Sequence, residues 1–201
     1  MNVSVLARRG PDPGAVRMEP AAAGARDERA ASTRFEEQWT QLFDAHYARL
    51  FRYLDRLSGD PDLAADLVQE TFIRLYRRNT LPDRPEAWLI TVALNLFRNV
   101  RSTVSRRARL LSVVRAIGVH SDPPVSPGPS VAGAGAEPAR RVREALATLP
   151  EREQNLLLLR AEGFSYHDIA SALGLNEASV GTLLARARNA FCRAFEADDA
   201  H

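Results

Sequence analysis

The chain has 201 residues and a mass of 22.2 kDa, enough for one medium domain or two small ones. It is 45% hydrophobic and 26% charged, and its single cysteine, Cys192, excludes an internal disulfide and a cysteine-based zinc cluster. Its apolar runs stay well below the roughly 20 residues that span a bilayer. The first seven residues, followed at once by Arg8-Arg9, are too short for a signal-peptide core. We therefore expect a cytoplasmic protein with no segment inserted in a membrane.

The net charge is only +2, but the charges are unevenly distributed. All 27 basic residues are arginine, and residues 33–116 carry 14 of them against 10 acidic residues. Between Ala87 and Ala116 there are six arginines and no acidic residue. This pattern predicts one surface that faces a polyanion.

Composition and periodicity divide the chain into four segments. Residues 1–32 and 117–139 are rich in Pro, Gly and Ala and show no period, which predicts a disordered leader and a flexible linker. Residues 33–116 and 140–197 repeat apolar residues at spacings of three and four, as amphipathic helices do. We therefore predict an all-α protein of two small helical domains, an N-terminal helical bundle and a C-terminal helix-turn-helix domain.

Three helices are predicted in the first domain. Thr33 and Glu36 form a capping-box pattern, so the first helix is expected to begin there and to end at Ser58-Gly59. Asp60-Pro61 supplies an N-cap residue and a first-turn proline for the second helix. The third helix is expected from about Glu86.

The segment 165–191 predicts the helix-turn-helix itself. Ser165 opens a short helix with a second capping-box pattern, and Asn176 caps a longer one. The small Ala170, the turn residue Gly174 and the apolar Val180 fit the geometry that this motif requires. The alternative is an ordinary helical hairpin with an incidental glycine.

The chain offers no set of residues for enzyme chemistry. Asp66 and Glu70 are four apart on a helix, but a surface pair between Glu70 and Arg74 is the simpler interpretation. The histidines at 46, 120, 167 and 201 are scattered. We predict that the protein is not an enzyme and that it requires neither a metal nor another cofactor.

The acid-free arginine segment suits single-stranded or melted nucleic acid. Its arginines alternate with Trp88, Asn95, Phe97 and Asn99, which combines phosphate neutralisation with stacking and base-edge contacts. In the alternative interpretation the two aromatic residues belong to the core and the arginines form a solvated helix face.

Several motifs, in order, resemble the extracytoplasmic-function (ECF) group of bacterial sigma factors in the sigma-70 family. Residues 66–77 read DLVQETFIRLYR and residues 84–95 read RPEAWLITVALN, which are similar to two helices of the family's N-terminal region. LPERE at 149–153, EGFSY at 162–166, DIA at 168–170 and LGL at 173–175 resemble its DNA-binding module. The resemblance covers about 33–116 and 140–195.

The resemblance implies a transcription initiation factor that binds core RNA polymerase and directs it to promoter DNA through −10 and −35 elements. It implies polymerase contacts at Asp66, Leu67, Gln69, Glu70 and Phe72. It implies −10 contacts at Arg78, Asn79, Arg84, Asn95, Arg98 and Arg101, with a flipped base held by the 78–84 loop. It implies −35 contacts at Ser165, Tyr166, Glu177, Ala178, Ser179, Thr182, Arg186 and Arg188. Many members of the family also bind an anti-sigma factor.

The sequence departs from the family pattern in the predicted recognition helix. Gly181 and Leu183 stand where basic residues are usual, and Asn99 stands where the third helix usually has Asp. We therefore treat Gly181 and Leu183 as structural and expect the basic segment to carry more of the DNA affinity. Two alternatives stay open, a stand-alone helix-turn-helix regulator and a sigma-like adaptor that does not direct polymerase to promoters.

Overall fold

The computed structural model describes residues 20–116 and 136–199, which are helical with short connections and contain no strand. Side chains are described for residues 29–107 and 137–197. The helices are α1 (Pro20–Ser58), α2 (Pro61–Arg78), α3 (Pro85–Ala116), α4 (Ala136–Ala147), α5 (Glu151–Ala161), α6 (Tyr166–Leu173) and α7 (Glu177–Asp199). The all-α prediction is confirmed. Residues 1–19 of the predicted leader and 117–135 of the predicted linker lie outside the described residues. None of the described helices is long and apolar enough to cross a membrane.

Helix α1 begins at Pro20, so the predicted leader is wrong over residues 20–32. Thr33 does not cap a helix, because its hydroxyl donates to the carbonyl oxygen of Arg29 at 3.0 Å, one turn back inside α1. The alanine-rich sequence before Thr33 favours helix and contains no proline after Pro20, so the helix extends upstream.

Helix α4 likewise begins inside the predicted linker, at Ala136. Arg140 pairs with Glu137 one turn before it and with Glu144 one turn after it, the second at 2.7 Å. Glu137 also lies in the first turn, where a carboxylate interacts favourably with the helix dipole. These local pairs explain why residues 136–139 are helical.

The predicted N-caps of the later helices are present. The Asp60 carboxylate accepts from the backbone N–H groups two and three residues on, at 3.1 and 3.0 Å. The Ser165 hydroxyl accepts from the N–H of Asp168 at 3.1 Å, and the Asn176 side chain accepts from the N–H of Ala178 at 3.0 Å. Each cap satisfies backbone donors that a helix start leaves unpaired.

Helices α1–α3 form the N-terminal module and α4–α7 form the C-terminal module. The buried residues of the first include Leu50, Tyr53, Leu54, Val68, Phe72, Leu75, Leu89 and Ile90. Those of the second include Leu156, Leu159, Ile169, Ala170, Val180, Leu184 and Ala187. In the helix-turn-helix, Gly174 has a positive φ of 64°, a backbone conformation that favours glycine and turns α6 towards α7.

The two modules pack against each other. Helix α1 contacts α5, and α3 contacts α6, so the buried residues of both modules form one continuous apolar cluster. The helix-turn-helix therefore lies beside the basic helix α3 in this closed arrangement.

Candidate nucleic-acid interface

The predicted polymerase contacts on α2 fall into two groups. Asp66 and Gln69 are exposed and Glu70 is partly exposed, with its carboxylate accepting from Arg74 Nε at 2.8 Å. Leu67 and Phe72 are only 5% and 1% exposed and lie inside the module in this structure. Their predicted contact with polymerase stays a prediction. They pack α2 against the rest of its module and hold the three polar side chains in place.

The six residues predicted for −10 contacts are all exposed, and we refer to them as the −10 surface: Arg78, Asn79, Arg84, Asn95, Arg98 and Arg101. Asn79 ends α2 in the left-handed conformation, with φ of 55°, and turns the chain into the following loop. Asn95, Arg98 and Arg101 are spaced by three residues and so follow one side of α3.

A pocket of about 370 Å³ lies between the loop and α3. Its wall includes Arg84, Trp88 and Thr91, and Ser171 of α6 contributes from the C-terminal module. Trp88 is partly exposed, whereas Phe97 is buried. The alternative that both aromatic residues are core residues therefore holds for Phe97, while Trp88 is available at a surface where a base could stack.

Two arginines of the −10 surface are paired with the C-terminal module. Arg98 Nε donates to one carboxylate oxygen of Glu151 at 2.6 Å, and an Arg101 terminal nitrogen donates to the other at 3.2 Å. Glu151 is the first residue of α5. The segment from Ala87 to Ala116 has no acidic residue of its own, so the carboxylate that pairs with its arginines comes from Glu151, about 50 positions further along the chain.

Four of the eight residues predicted for −35 contacts share the outer side of α7. Ala178, Ser179, Thr182 and Arg186 are exposed there. Arg188 lines a groove on another side of α7, so the structure separates it from that set.

The remaining predicted −35 residues already have contacts within the module. Ser165 caps α6, and a carboxylate oxygen of Glu177 lies 2.7 Å from His167 Nδ1, within hydrogen-bond distance. Tyr166 is 41% exposed, and the Arg160 guanidinium lies 5.2 Å from its ring centre. These contacts fix the side chains at the start of the motif without removing them from solvent.

Gly181 and Leu183 lie in different surroundings on α7. A Cβ atom at Gly181 would lie 3.7 Å from the Tyr166 ring, an ordinary contact distance, so the position has room for a side chain. Leu183 is partly buried against the apolar core.

Sequence reasoning missed a buried carboxylate between the modules. The side chain of Glu162 is 2% exposed, accepts from Arg52 Nε at 2.7 Å and is paired with Arg56. Arg49 Nε donates to the backbone carbonyl of Glu162 at 2.9 Å. The one signal in the sequence is that these three arginines lie on one side of α1, at spacings of three and four. No local pattern identifies their partner, which is more than 100 residues away.

A second buried contact joins α1 to α5. The Tyr53 hydroxyl donates to Asn155 Oδ1 at 2.8 Å, and both residues are fully buried. Burial raises the pKa of Tyr53, because the ionised phenolate would lose its hydration. Tyr53 therefore stays protonated and acts as a hydrogen-bond donor.

His46 lies at this boundary as well. Its ring is stacked on that of Phe164 in the C-terminal module, with the two ring centres 6.4 Å apart, and its Nε2 is 3.6 Å from Glu86 Oε1. Burial lowers the pKa of His46; Glu86 and Asp168 oppose this effect, and Arg49 adds to it. The neutral imidazole is therefore favoured in the closed arrangement.

Comparison with known proteins assigns each module to a family. The family described as Sigma-70 region 2 matches residues 42–107, and the family described as Sigma-70, region 4 matches residues 139–191. The ECF RNA polymerase sigma factor SigL of Mycobacterium tuberculosis is 36% identical over 149 residues, covering 71% of this chain and 80% of SigL. SigE of Mycolicibacterium smegmatis is 33% identical over 153 residues, covering 75% of this chain but only 58% of SigE.

Two solved structures share the fold. The sigma factor RpoE of Bartonella quintana, in complex with the anti-sigma factor NepR, has a TM-score of 0.54 at 24% identity and covers 81% of this chain and 99% of that chain. CnrH, in complex with the cytosolic domain of CnrY, has a TM-score of 0.56 at 23% identity. The match covers 85% of this chain and 95% of the CnrH chain. At these identities the likeness concerns the fold alone.

Two helical modules that match regions 2 and 4 on one chain define a protein of the sigma-70 class. The relative SigL is 36% identical, and the match covers 80% of its length. The chain therefore belongs to the ECF group of RNA polymerase sigma factors. The family predicted from the motifs is confirmed.

Proposed function

We propose that this protein is a transcription initiation factor that binds core RNA polymerase and directs it to specific promoters by recognising −10 and −35 elements. The observation that carries the proposal is the −10 surface, where six polar and basic side chains are exposed and one of them, Arg84, lines the pocket beside Trp88. Bond formation belongs to the polymerase in this proposal, so the chain itself is not an enzyme. It acts in the cytoplasm, where bacterial transcription takes place.

The polymerase contact is assigned to the polar side of α2. Asp66, Gln69 and Glu70 present two carboxylates and an amide on a helix that is held rigidly by its buried side. Such a surface suits a basic or hydrogen-bonding helix of the polymerase.

The −10 contact is assigned to the loop after α2 and to α3. Arginines neutralise the phosphates of the melted strand, and the pocket beside Trp88 receives an unstacked base. Because melting already exposes the bases, the cost of flipping one is small compared with flipping from a duplex. The flipped base would give sequence discrimination at the −10 element.

The −35 contact is assigned to the exposed side of α7 in the major groove. With Gly181 and Leu183 in place of basic residues, Arg186 is the one basic member of the set that stays on this side. We therefore expect −35 binding to be weak, and the Gly181→Lys substitution to strengthen binding to −35-containing promoters. Unchanged affinity in that variant would contradict this placement of α7.

We also propose an anti-sigma factor as a second partner. Of the two solved structures described above, the sigma factor RpoE of Bartonella quintana is in complex with the anti-sigma factor NepR, and CnrH is in complex with the cytosolic domain of CnrY. A groove of about 980 Å³ runs between the end of α1 and helices α4, α5 and α7. Its lining combines apolar residues with five charged ones: Val142, Leu146, Leu157, Leu184 and Phe191, with Asp55 and the arginines at 56, 143, 160 and 188. This combination fits an amphipathic helix with acidic flanks.

The test is run-off transcription with purified chain and core polymerase on fragmented DNA of the host genome, with start sites sequenced. Start sites that share paired −35 and −10 motifs and require the chain are expected. Arg84→Ala should reduce these starts strongly, whereas Arg193→Ala, at an exposed arginine near the end of α7, should not.

The same assay separates the alternatives. Binding of core polymerase without specific starts would favour the adaptor. Binding to duplex DNA in the absence of polymerase, without polymerase binding, would favour the stand-alone regulator.

A further inference from the structure

The groove between the end of α1 and helices α4, α5 and α7 gathers positive charge from distant parts of the sequence. Each of these four helices contributes one arginine to its lining: Arg56, Arg143, Arg160 and Arg188. Asp55 is the one acidic residue among the described residues of the lining. Four arginines and one aspartate give this lining a formal charge of +3, whereas the whole chain carries only +2. Tertiary packing therefore makes the groove more basic than the protein around it.

Two of the four arginines already have partners within the chain. Arg56 is paired with Glu162, and an Arg160 terminal nitrogen donates to the backbone carbonyl oxygen four residues further on, at 3.2 Å. Arg143 and Arg188, by contrast, are exposed and have no carboxylate partner among the described residues. Their guanidinium groups are therefore free to donate hydrogen bonds to an anionic ligand.

The other described residues of the lining are apolar. They include Leu157 of α5 with Leu184 and Phe191 of α7, and Val142 of α4, which is 39% exposed. The volume of about 980 Å³ is at the upper end of the roughly 300–1,000 Å³ that is typical of small-molecule sites, which often lie between the helices of a bundle. The groove can therefore bury an apolar chain beside the two free guanidinium groups.

We propose that this groove binds a free, single-chain anionic amphiphile, of which a long-chain carboxylate is the simplest example. The apolar chain packs on Leu157, Leu184 and Phe191, and the carboxylate accepts hydrogen bonds from Arg143 and Arg188. A neutral amphiphile of the same length lacks the charged contact, and a short anion lacks the apolar one.

This ligand would also affect the anti-sigma contact proposed above. An amphipathic helix with acidic flanks would meet the same lining, so the small ligand and the helix would compete for the groove. The inference does not depend on the proposed function, because binding of the ligand is measured on the chain alone.

The experiment is isothermal titration calorimetry of the full-length protein with decanoate, kept below its micelle concentration. Decanol has the same chain without the charge, and octanoate has the charge on a shorter chain. The test variant combines Arg143→Gln with Arg188→Gln, two substitutions at exposed positions of the groove. The matched control combines Arg152→Gln with Arg193→Gln, at exposed arginines outside the lining, and so loses the same charge.

Decanoate is expected to bind the wild type at a single saturable site. The test variant should bind it about tenfold or more weakly, because charge-assisted hydrogen bonds are lost, while the control variant behaves like the wild type. Decanol should also bind about tenfold or more weakly than decanoate. Octanoate should bind about tenfold more weakly, since it buries two fewer methylene groups. Equal affinities for decanoate and decanol, equal affinities of the two variants, or no saturable binding would overturn the inference.

A second variant tests the apolar part of the groove with an added charge. Val142→Glu places a carboxylate in the lining at a partly exposed position, and Val104→Glu makes the same change on α3, outside the groove. Both proteins should keep the helical circular dichroism spectrum of the wild type, and only Val142→Glu should bind decanoate more weakly. Wild-type affinity in Val142→Glu would contradict the proposed site.

A designed amphipathic peptide with acidic flanks, titrated in parallel, separates this inference from the anti-sigma proposal. Displacement of the bound peptide by decanoate would support a shared groove. Binding of the peptide without any binding of decanoate would overturn the inference and leave the groove to a protein helix.

Discussion

Replacing Tyr53 by phenylalanine tests the packing of the two modules against each other. The substitution removes one oxygen atom from a fully buried site and leaves the ring in place. Asn155 then loses the donor that its Oδ1 receives at 2.8 Å, while its Nδ2 already has no partner among the described residues. The buried Asn155 amide would then have no hydrogen-bond partner among the described residues at either its oxygen or its nitrogen.

The expected cost follows from that loss. Leaving one buried polar group without a partner costs about 1–3 kcal/mol, whereas replacing both partners by apolar groups of similar shape is nearly neutral. We expect Tyr53→Phe to lower the free energy of unfolding by about 2 kcal/mol, and the melting temperature by about 4–8 °C for a protein of this size. Asn155→Leu leaves the buried Tyr53 hydroxyl without its acceptor but also removes the unpaired Nδ2, so it should cost less than Tyr53→Phe.

The measurement is a double-mutant cycle in urea and thermal unfolding, followed by circular dichroism. The protein with both substitutions should be more stable than Tyr53→Phe alone and should lie within about 1 kcal/mol of the wild type. Strictly additive losses would show that the two side chains do not interact and would refute this closed packing.

Three further predictions use single sites. Gly181→Ala should raise the free energy of unfolding by about 1 kcal/mol, since alanine favours helix and the position has room; a destabilised variant would contradict the 3.7 Å spacing to Tyr166. Asp60→Ala should lower the free energy of unfolding by about 1 kcal/mol, because the N-cap of α2 is lost. Asp60→Asn should largely retain stability when both variants are unfolded in urea. Since burial lowers the pKa of His46, the unfolded chain takes up a proton first on acidification, and stability should fall as the pH drops from about 6.5 to the lowered value. His46→Gln should lose less melting temperature than the wild type between pH 7.5 and pH 5. An equal loss in both proteins would contradict this prediction.

Local signals in the sequence predicted much of the fold. The caps at Asp60, Ser165 and Asn176 depend on backbone groups within three residues, so the pattern alone was sufficient. The start of α1 was wrong because a threonine followed three residues later by a glutamate also fits a helix interior. There the threonine hydroxyl bonds back to the preceding turn, as Thr33 does.

The candidate site was predictable in part. The apolar repeat of α2 already places Leu67 and Phe72 on its buried side, and the structure has both residues buried there. The role of Glu162 could not be predicted, because a glutamate next to a glycine at a helix end usually faces solvent. Its burial depends on arginines of α1 that only the tertiary structure brings near.

The two tryptophans give the molecule an internal optical comparison. Trp39 donates its indole N–H to the carbonyl of Phe72 at 3.2 Å and has its neighbours within the N-terminal module, so separation of the modules leaves it unchanged. Trp88 instead shares its pocket with Ser171 and would gain water on that side when α6 leaves. In a Trp39→Phe protein, separation of the two modules would therefore shift the emission of Trp88 to longer wavelength. The rate of that separation could then be followed by stopped-flow fluorescence without an attached dye.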